Sequence, residues 1–194
     1  MFPIWPYSVK GKRIEIAVRG PLVVTGGEAA REAVEQSRVA IAAAINAEPE
    51  EIVFTSGATE SNNLAIRGIA ERGKRRGDHL VSVRTEHKAV LDPLARLARR
   101  GAEITLLNVA PHDSPQAGII DLDQLQDSLR PDTALVSIMF ANNEIGVIQD
   151  IATIGKLCRE KGIVFHVDAA QATGKMAIDL ATEARLLRDD AAVQ

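Results

Sequence analysis

The sequence predicts an α/β fold, a mostly parallel sheet flanked by helices, and two observations support this prediction. From Ile52 onward, short β-rich runs alternate with helical patterns, as expected for parallel strands joined by helical crossovers. Polar groups also follow several of these runs directly, where open α/β sheets bind their ligands. One compact domain is expected, since 194 residues readily form one core and are few for two.

The alternation defines each element in turn. The predicted strands are EIVFTSG (51–57), HLVSVRTEH (79–87), AEITLLNV (102–109), TALVSIMFANN (133–143) and GIVFHVDA (162–169). The predicted helices between them cover residues 60–77, 89–101, 121–132 and 150–162. Gly101 is expected to end the second of these helices in a left-handed conformation.

The two ends of the chain differ from this repeating part. Residues 1–25 have another composition, and residues 26–50 read as one long helix, so we place a boundary near Gly26. The α/β pattern then runs to Leu180, and residues 181–194 form a divergent tail. We therefore expect a divergent N-terminal segment (1–25), an α/β domain (26–180) and a C-terminal tail (181–194).

Composition argues against several classes of function. A net charge of -3 and 3% aromatic residues give no basis for binding nucleic acid or an anionic membrane surface. No apolar run approaches the roughly 18 to 20 residues that span a bilayer, and the first residues lack the order of a signal peptide. The single cysteine, Cys158, allows no intrachain disulfide and is expected to pack in the core, which fits a cytoplasmic protein.

Asp168 follows the apolar run GIVFHV, at the predicted end of a buried strand. An unpartnered carboxylate there would cost several kcal/mol, so the position predicts a cationic or hydrogen-bonding partner. Asp168 could instead cap the next helix or face water. The sequence alone leaves both interpretations open.

The turn SGATES joins a predicted strand to a helix and could hold a phosphate. The first N–H groups of a helix lack intrahelical partners, and its dipole favours an anion there. The hydroxyls of Ser56 and Thr59 would add donors, and Gly57 would let the backbone approach closely. Thr59 could equally be the N-cap of the helix.

Other predicted strand ends also carry polar groups. His87 follows one strand, Asn142, Asn143 and Glu144 follow another, and Gln171 comes shortly after Asp168. Each could be a structural histidine or an ordinary turn residue. Because parallel strands all end at one edge of their sheet, their convergence indicates a polar ligand site.

These groups together suit pyridoxal phosphate. The Gly57 turn would take its phosphate, His87 would cover its ring, and Asn143 would face a ring oxygen. Asp168 would then face the basic ring nitrogen and keep it protonated, so that the ring can accept electrons.

The strings EIVFTSGATESNNLAIRG, TEHKAVLDP, ALVSIMFANNEIGVIQDI and HVDAAQATGKMAIDL closely resemble cysteine desulfurases, the NifS-like branch of fold-type-I pyridoxal phosphate enzymes. The resemblance extends from about Gly27 to Leu180. It implies a truncated large domain of that fold and conversion of L-cysteine to L-alanine and a persulfide, for iron–sulfur cluster assembly and tRNA thiolation. It also implies a dimer.

The resemblance implies a role for each matching residue. Ala58 and Thr59 would contact the phosphate, and His87 would stack on the ring and serve in proton transfer. Asn143 would bond the phenolic oxygen, Asp168 would pair with the ring nitrogen, and Gln171 would also contact the cofactor. No metal ligand is implied.

Three features of the family do not occur in this sequence. They are the Schiff-base lysine after a Ser-Gly/Ser-His sequence, the sulfur-accepting cysteine on a mobile loop, and an arginine of a C-terminal domain. We therefore expect non-covalent cofactor binding at most and an inactive isolated chain. The alternatives are an inactive module that binds pyridoxal phosphate or a desulfurase partner, a chain completed by a separate second half, and a protein resembling selenocysteine lyases.

Overall fold

The computed structural model describes residues 8–9, 12–13, 26–73 and 77–180. It divides into two compact units: one comprises residues 1–54 and 173–182, the other residues 55–172 and 183–194. The predicted C-terminal tail, 181–194, lies outside the described residues, as does most of the predicted N-terminal segment.

The first unit is built on one long helix. Strands β1 (Ser8–Val9) and β2 (Lys12–Arg13) form an antiparallel pair, and α1 runs over Gly26–Ile45. The predicted helix to residue 50 is too long, because Asn46 adopts a left-handed conformation (φ 56°) and Ala47 N–H donates to Ala42 O. A short 3-10 turn, Pro49–Glu51, follows.

The strand predicted at residues 51–57 is not formed. Residues 52–55 form no ladder with any strand that the structure describes, and Val53 and Phe54 are 67% and 45% exposed. The β-branched and aromatic residues favour an extended backbone, but a strand also needs a neighbour to pair with. This prediction from the local pattern was therefore wrong.

The second unit contains a four-stranded parallel sheet, as predicted. Its strands are β3 (His79–Val83), β4 (Glu103–Leu107), β5 (Thr133–Met139) and β8 (Val164–Asp168), arranged in the order β4-β3-β5-β8. All three pairings are parallel. A small antiparallel hairpin of β6 (Ala141–Asn142) and β7 (Val147–Ile148) follows β5.

Helices connect these strands at the predicted places. They are α2 (Ala58–Gly73), α3 (Lys88–Ala98), α4 (Leu122–Ser128) and α5 (Ile151–Glu160). Gly101 is left-handed (φ 100°) and turns the chain out of α3, while Ala102 N–H donates to Leu97 O, as predicted for this helix end.

Both faces of the sheet are apolar. Helices α2 and α3 pack on each other and share one buried cluster with the sheet, formed by Ile66, Leu80, Val90, Leu94 and Leu135. Alternate residues of the strands point to the opposite face, where Val81, Val83, Val136 and Ile138 are completely buried. A sheet buried on both faces fits the near-continuous apolar strands of the sequence.

The segment between β4 and α4 is held against the hairpin. Gln149 is buried, accepts from Ile120 N–H at 3.1 Å and donates to Gly118 O at 2.9 Å. Gly118 adopts φ 80°, and a Cβ there would lie 2.6 Å from Val147 Cγ2.

None of the described helices is both long and apolar enough to cross a bilayer.

Candidate functional site

The strand order brings three polar strand exits next to one another. Strand β5 lies between β3 and β8, and all three run in the same direction. Their carboxyl ends therefore lie at one edge of the sheet, the usual ligand-binding edge of such folds. The expected convergence is found for the exits that carry His87, Asn143 and Asp168; the Gly57 turn leads into α2 without following a formed strand.

Asp168, the last residue of β8, is 8% exposed and has two hydrogen-bond donors. Asn62 of α2 donates from Nδ2 to Oδ2 at 2.8 Å, and Ala170 N–H donates to Oδ1 at 3.0 Å. The buried carboxylate is thus partnered, as its position requires. The bond from Asn62 also brings the first turns of α2 beside Asp168.

Glu86 joins the exit of β3 to the end of β5. It is 6% exposed, and its Oε1 accepts from Met139 N–H. Met139 is the register partner of Asp168. Desolvation first, and the negative charge of Asp168 as a further cause, raise the pKa of Glu86 to about 8.

The two neighbouring asparagines serve different purposes. Asn142 is buried, donates from Nδ2 to Thr85 O at 2.8 Å, and accepts from the N–H groups of Glu144 and Ile145. It is therefore a structural residue that fastens the β3 and β5 exits together. Asn143 is exposed at the tip of the same turn, where its amide can face a ligand.

His87 lies at the N-terminus of α3 and is exposed. Ala89 N–H donates to its Nδ1 at 3.0 Å, so the ring caps the helix. With Nδ1 as acceptor, a neutral ring carries its proton on Nε2. The capping bond fixes the ring's orientation, and the structural and ligand-binding interpretations of this histidine are compatible.

The turn before α2 presents a helix N-terminus. The helix begins at Ala58, so Thr59 is its second residue and the N-cap interpretation of Thr59 is wrong. Glu60 accepts from Ser56 N–H at 2.6 Å. Hydrogen bonding to the Ser56 side chain first, and to its backbone N–H second, lowers the pKa of Glu60. Ala58 and Thr59 are exposed, one turn before Asn62.

Other candidate groups are less informative. Gln171 is half-buried in the turn after Asp168. Cys158 is completely buried in α5, as expected, and desolvation raises the pKa of its thiol to about 12. Such a thiol is a poor nucleophile.

The sequence patterns do not predict the roles of three organising residues, Asn62, Glu86 and Asn142. A signal existed for Asn62, since an asparagine inside a helix normally disfavours that helix and one on its buried side needs a partner. Glu86 follows an apolar strand as Asp168 does, and the same desolvation reasoning applies to it.

Comparison with known proteins supports the resemblance. The family model for aminotransferase class-V matches residues 19–183. The cysteine desulfurase IscS of Neisseria meningitidis serogroup A is 59% identical over 154 residues, which are 79% of this chain and 37% of that protein. IscS of Methylococcus capsulatus is 57% identical over 157 residues, 80% of this chain and 38% of that protein. The chain thus spans under two fifths of the length of these relatives.

Solved structures show the same fold. DndA from Streptomyces lividans has a TM-score of 0.74 at 45% identity, over 84% of this chain and 44% of its own. SspA, solved in complex with cysteine, has a TM-score of 0.75 at 39% identity, over 82% of this chain and 45% of its own. These matches confirm the predicted fold class and the likeness to cysteine desulfurases. Since the family model covers most of its length, the chain belongs to the aminotransferase class-V family.

Proposed function

We propose that this chain forms the cofactor-binding portion of a pyridoxal phosphate-dependent cysteine desulfurase. The observation that carries the proposal is a series of contacts across one sheet edge. Glu86, the residue before His87, accepts a hydrogen bond from Met139 N–H. Met139 is the register partner of Asp168, and Asp168 accepts a hydrogen bond from Asn62 on α2. This series links the strand exit that carries an imidazole, a buried carboxylate and the first turns of α2 at one edge of the sheet.

The residues present fit pyridoxal phosphate by the chemistry of their donor groups. A dianionic phosphate suits the N-terminus of α2 at Ala58 and Thr59. A protonated ring nitrogen suits Asp168, a buried acceptor whose two hydrogen bonds leave lone pairs for a third. An exposed amide at Asn143 suits the phenolic oxygen.

Each residue then has a defined task. Asp168 would hold a proton at the ring nitrogen, Asn143 would donate to the ring oxygen, and His87 would contact the ring and move a proton from its Nε2. Gln171 adds a polar contact beside Asp168. The cofactor, once bound, supplies an electron sink for bond cleavage at the substrate carbon.

The proposed substrate is L-cysteine, with L-alanine and a persulfide as the products of the complete site. We place the protein in the cytoplasm, as a homodimer or as one part of a desulfurase assembly that serves iron–sulfur cluster formation. SspA, one of the similar structures, was solved in complex with cysteine, which supports the substrate class.

A second candidate is a module that binds the cofactor or a desulfurase partner without turnover. The burial of Cys158 and the raised pKa of its thiol favour this second candidate for the isolated chain. This is the one cysteine in the sequence, and it is buried in α5 with a raised pKa, so it cannot accept sulfur in the folded state. A sulfur acceptor must then come from another polypeptide segment.

Titration of the purified chain with pyridoxal phosphate, followed by absorbance, tests the proposal. We expect saturable binding that Asp168→Asn weakens by about tenfold or more, because a charge-assisted hydrogen bond contributes roughly 1.5 to 3 kcal/mol. L-Cysteine should then perturb the bound spectrum at lower concentration than D-cysteine, which reacts equally with the free cofactor.

The matched control is Asp150→Asn, which removes a carboxylate from the N-cap of α5 and leaves the sheet edge intact. It should bind the cofactor like the unmodified chain. Absence of saturable binding, or equal binding by the Asp168→Asn variant, contradicts the proposal. Binding with equal responses to L- and D-cysteine supports the second candidate.

A further inference from the structure

Glu86 has an oxygen that the site described above does not use. Among the described residues, Glu86 Oε2 is the one buried side-chain nitrogen or oxygen without a hydrogen-bond partner. Its other oxygen accepts from Met139 N–H, and the residue is 6% exposed. A buried carboxylate with a bare oxygen is costly, whereas a protonated carboxyl group at the same place carries no charge.

The surroundings of Glu86 favour the neutral acid. Asp168 lies at the end of β8, which is separated from β3 by β5. Its negative charge raises the pKa of Glu86 further than burial alone does. His87, the next residue, directs Nδ1 to Ala89 N–H. Asn142, from the β5 exit, gives its amide to Thr85 O. No described cation offsets the burial of Glu86.

We propose that Glu86 is a positioning residue of the ring-nitrogen site. As a neutral acid it connects the β3 exit to β5 and leaves Asp168 as the single negative charge of that site. It ionises when a cation pairs with Asp168. The last part rests on the proposed function, since the cation is the protonated ring nitrogen of the cofactor. The first part, the neutral state of Glu86, concerns the cofactor-free protein.

The sign of the coupling follows from linkage. A cation at Asp168 cancels the charge that disfavours ionisation of Glu86, so its pKa falls on binding. The ring adds little further desolvation, because Glu86 is already almost completely buried. A proton is therefore released from Glu86 on binding, and cofactor affinity gains as pH rises toward 8.

The stability of the cofactor-free chain tests the first part. Glu86 has a pKa near 4.5 when exposed and about 8 when folded. Between these values the unfolded state binds fewer protons, so the folding equilibrium constant of the unmodified chain, relative to that of Glu86→Gln, falls by up to about tenfold per pH unit and then levels off. The same comparison can be made with Asp168→Asn added to both proteins, which mimics neutralisation of that charge. The folding equilibrium constant should then stop falling at a lower pH.

The dissociation constant for pyridoxal phosphate, measured from pH 6 to 9, tests the second part. Titration of the cofactor itself is common to both proteins and cancels in their ratio. Binding by the unmodified chain should strengthen relative to Glu86→Gln by about three- to tenfold as pH rises, because the pKa of Glu86 falls on binding. Glu144→Gln removes an exposed carboxylate near the same edge and is the control; its ratio should stay constant.

The outcomes separate the two proposals. Parallel stability profiles for the unmodified chain and Glu86→Gln overturn the neutral acid, and an unchanged profile in the Asp168→Asn background overturns its coupling to Asp168. If the cofactor binds neither protein, the proposed function fails while the stability profiles still decide the role of Glu86. Binding with a constant ratio overturns the ionisation of Glu86.

Discussion

Asn62 and Asp168 lie 106 positions apart in the chain, yet the amide of the first donates to the carboxylate of the second at 2.8 Å, and both side chains are buried. This bond ties the start of α2 to the end of β8. A helix N-terminus that attracts anions is thereby held beside a carboxylate that attracts cations. The site can accordingly favour a ligand with charges of both signs at opposite ends.

Removing this bond should destabilise the chain. Asn62→Ala leaves Asp168 buried with one donor fewer, and we expect a loss of about 1.5 to 3 kcal/mol in the free energy of unfolding. Urea unfolding at pH 7.5 measures it. Asn63→Ala is the control, since Asn63 Nδ2 donates to Thr59 O within the same helix; an equal loss in both variants would contradict the role given to Asn62.

His166 should make the chain less stable in acid. Its ring contacts Ser137 Oγ through Nδ1 at 2.9 Å, and desolvation lowers its pKa below the ordinary 6.5. The unfolded state therefore takes up a proton first as pH falls below 6.5, and unfolding becomes easier until the folded form titrates too. Relative to His166→Gln, the unmodified chain should therefore lose free energy of unfolding as pH is lowered from 7 to 5, measured by urea unfolding; titration of the groups that both proteins share cancels in this difference.

The exposed His112→Gln variant is the control for loss of one imidazole. Identical slopes in the unmodified chain and in His166→Gln would show that His166 is not the group responsible.

Cys158 should resist thiol reagents until the chain unfolds. Its pKa rises from 9.0 to about 12, which lowers the thiolate fraction at pH 8 roughly a thousandfold, and the group is inaccessible as well. Reaction with a chromogenic disulfide should be immediate in concentrated urea and slow in buffer. Rapid stoichiometric labelling with no loss of circular dichroism would disprove the prediction.

Gly118 should tolerate no side chain. It has φ 80°, and a Cβ would lie 2.6 Å from Val147 Cγ2, so Gly118→Ala combines backbone strain of about 1 to 2 kcal/mol with overpacking of about 1 to 3 kcal/mol. Gly146→Ala isolates the strain, since Gly146 has φ 70° with open space around it. The free energy of unfolding in urea should be lower for Gly118→Ala than for Gly146→Ala. Adding Val147→Ala to the Gly118→Ala variant should recover part of that difference.

Much of the fold could be predicted from local patterns. Strands β3, β4, β5 and β8 are near-continuous apolar runs because both sheet faces are covered, and the helices between them keep their apolar spacing. The run at residues 52–54 is also apolar but forms no ladder with any described strand, since pairing depends on a neighbour that the run itself does not encode.

The site could be predicted in outline only. Polar residues after apolar strands pointed to His87, Asn143 and Asp168, because parallel topology places such exits together. The sequence could not show that Asn142, rather than Asn143, turns inward, or that Asn62 reaches across to Asp168. Those outcomes depend on which side chain meets which backbone group after folding, and no local rule contains that information.

The loops around this edge are set before any ligand arrives. Asn142 and Glu86 bond backbone groups of neighbouring exits, so connections that are usually mobile are attached to strands. The ordering entropy is lost when the chain folds rather than when a ligand binds, and encounter requires little rearrangement. A small molecule that fits would in turn act as a folding ligand, protecting the chain from unfolding and proteolysis by mass action.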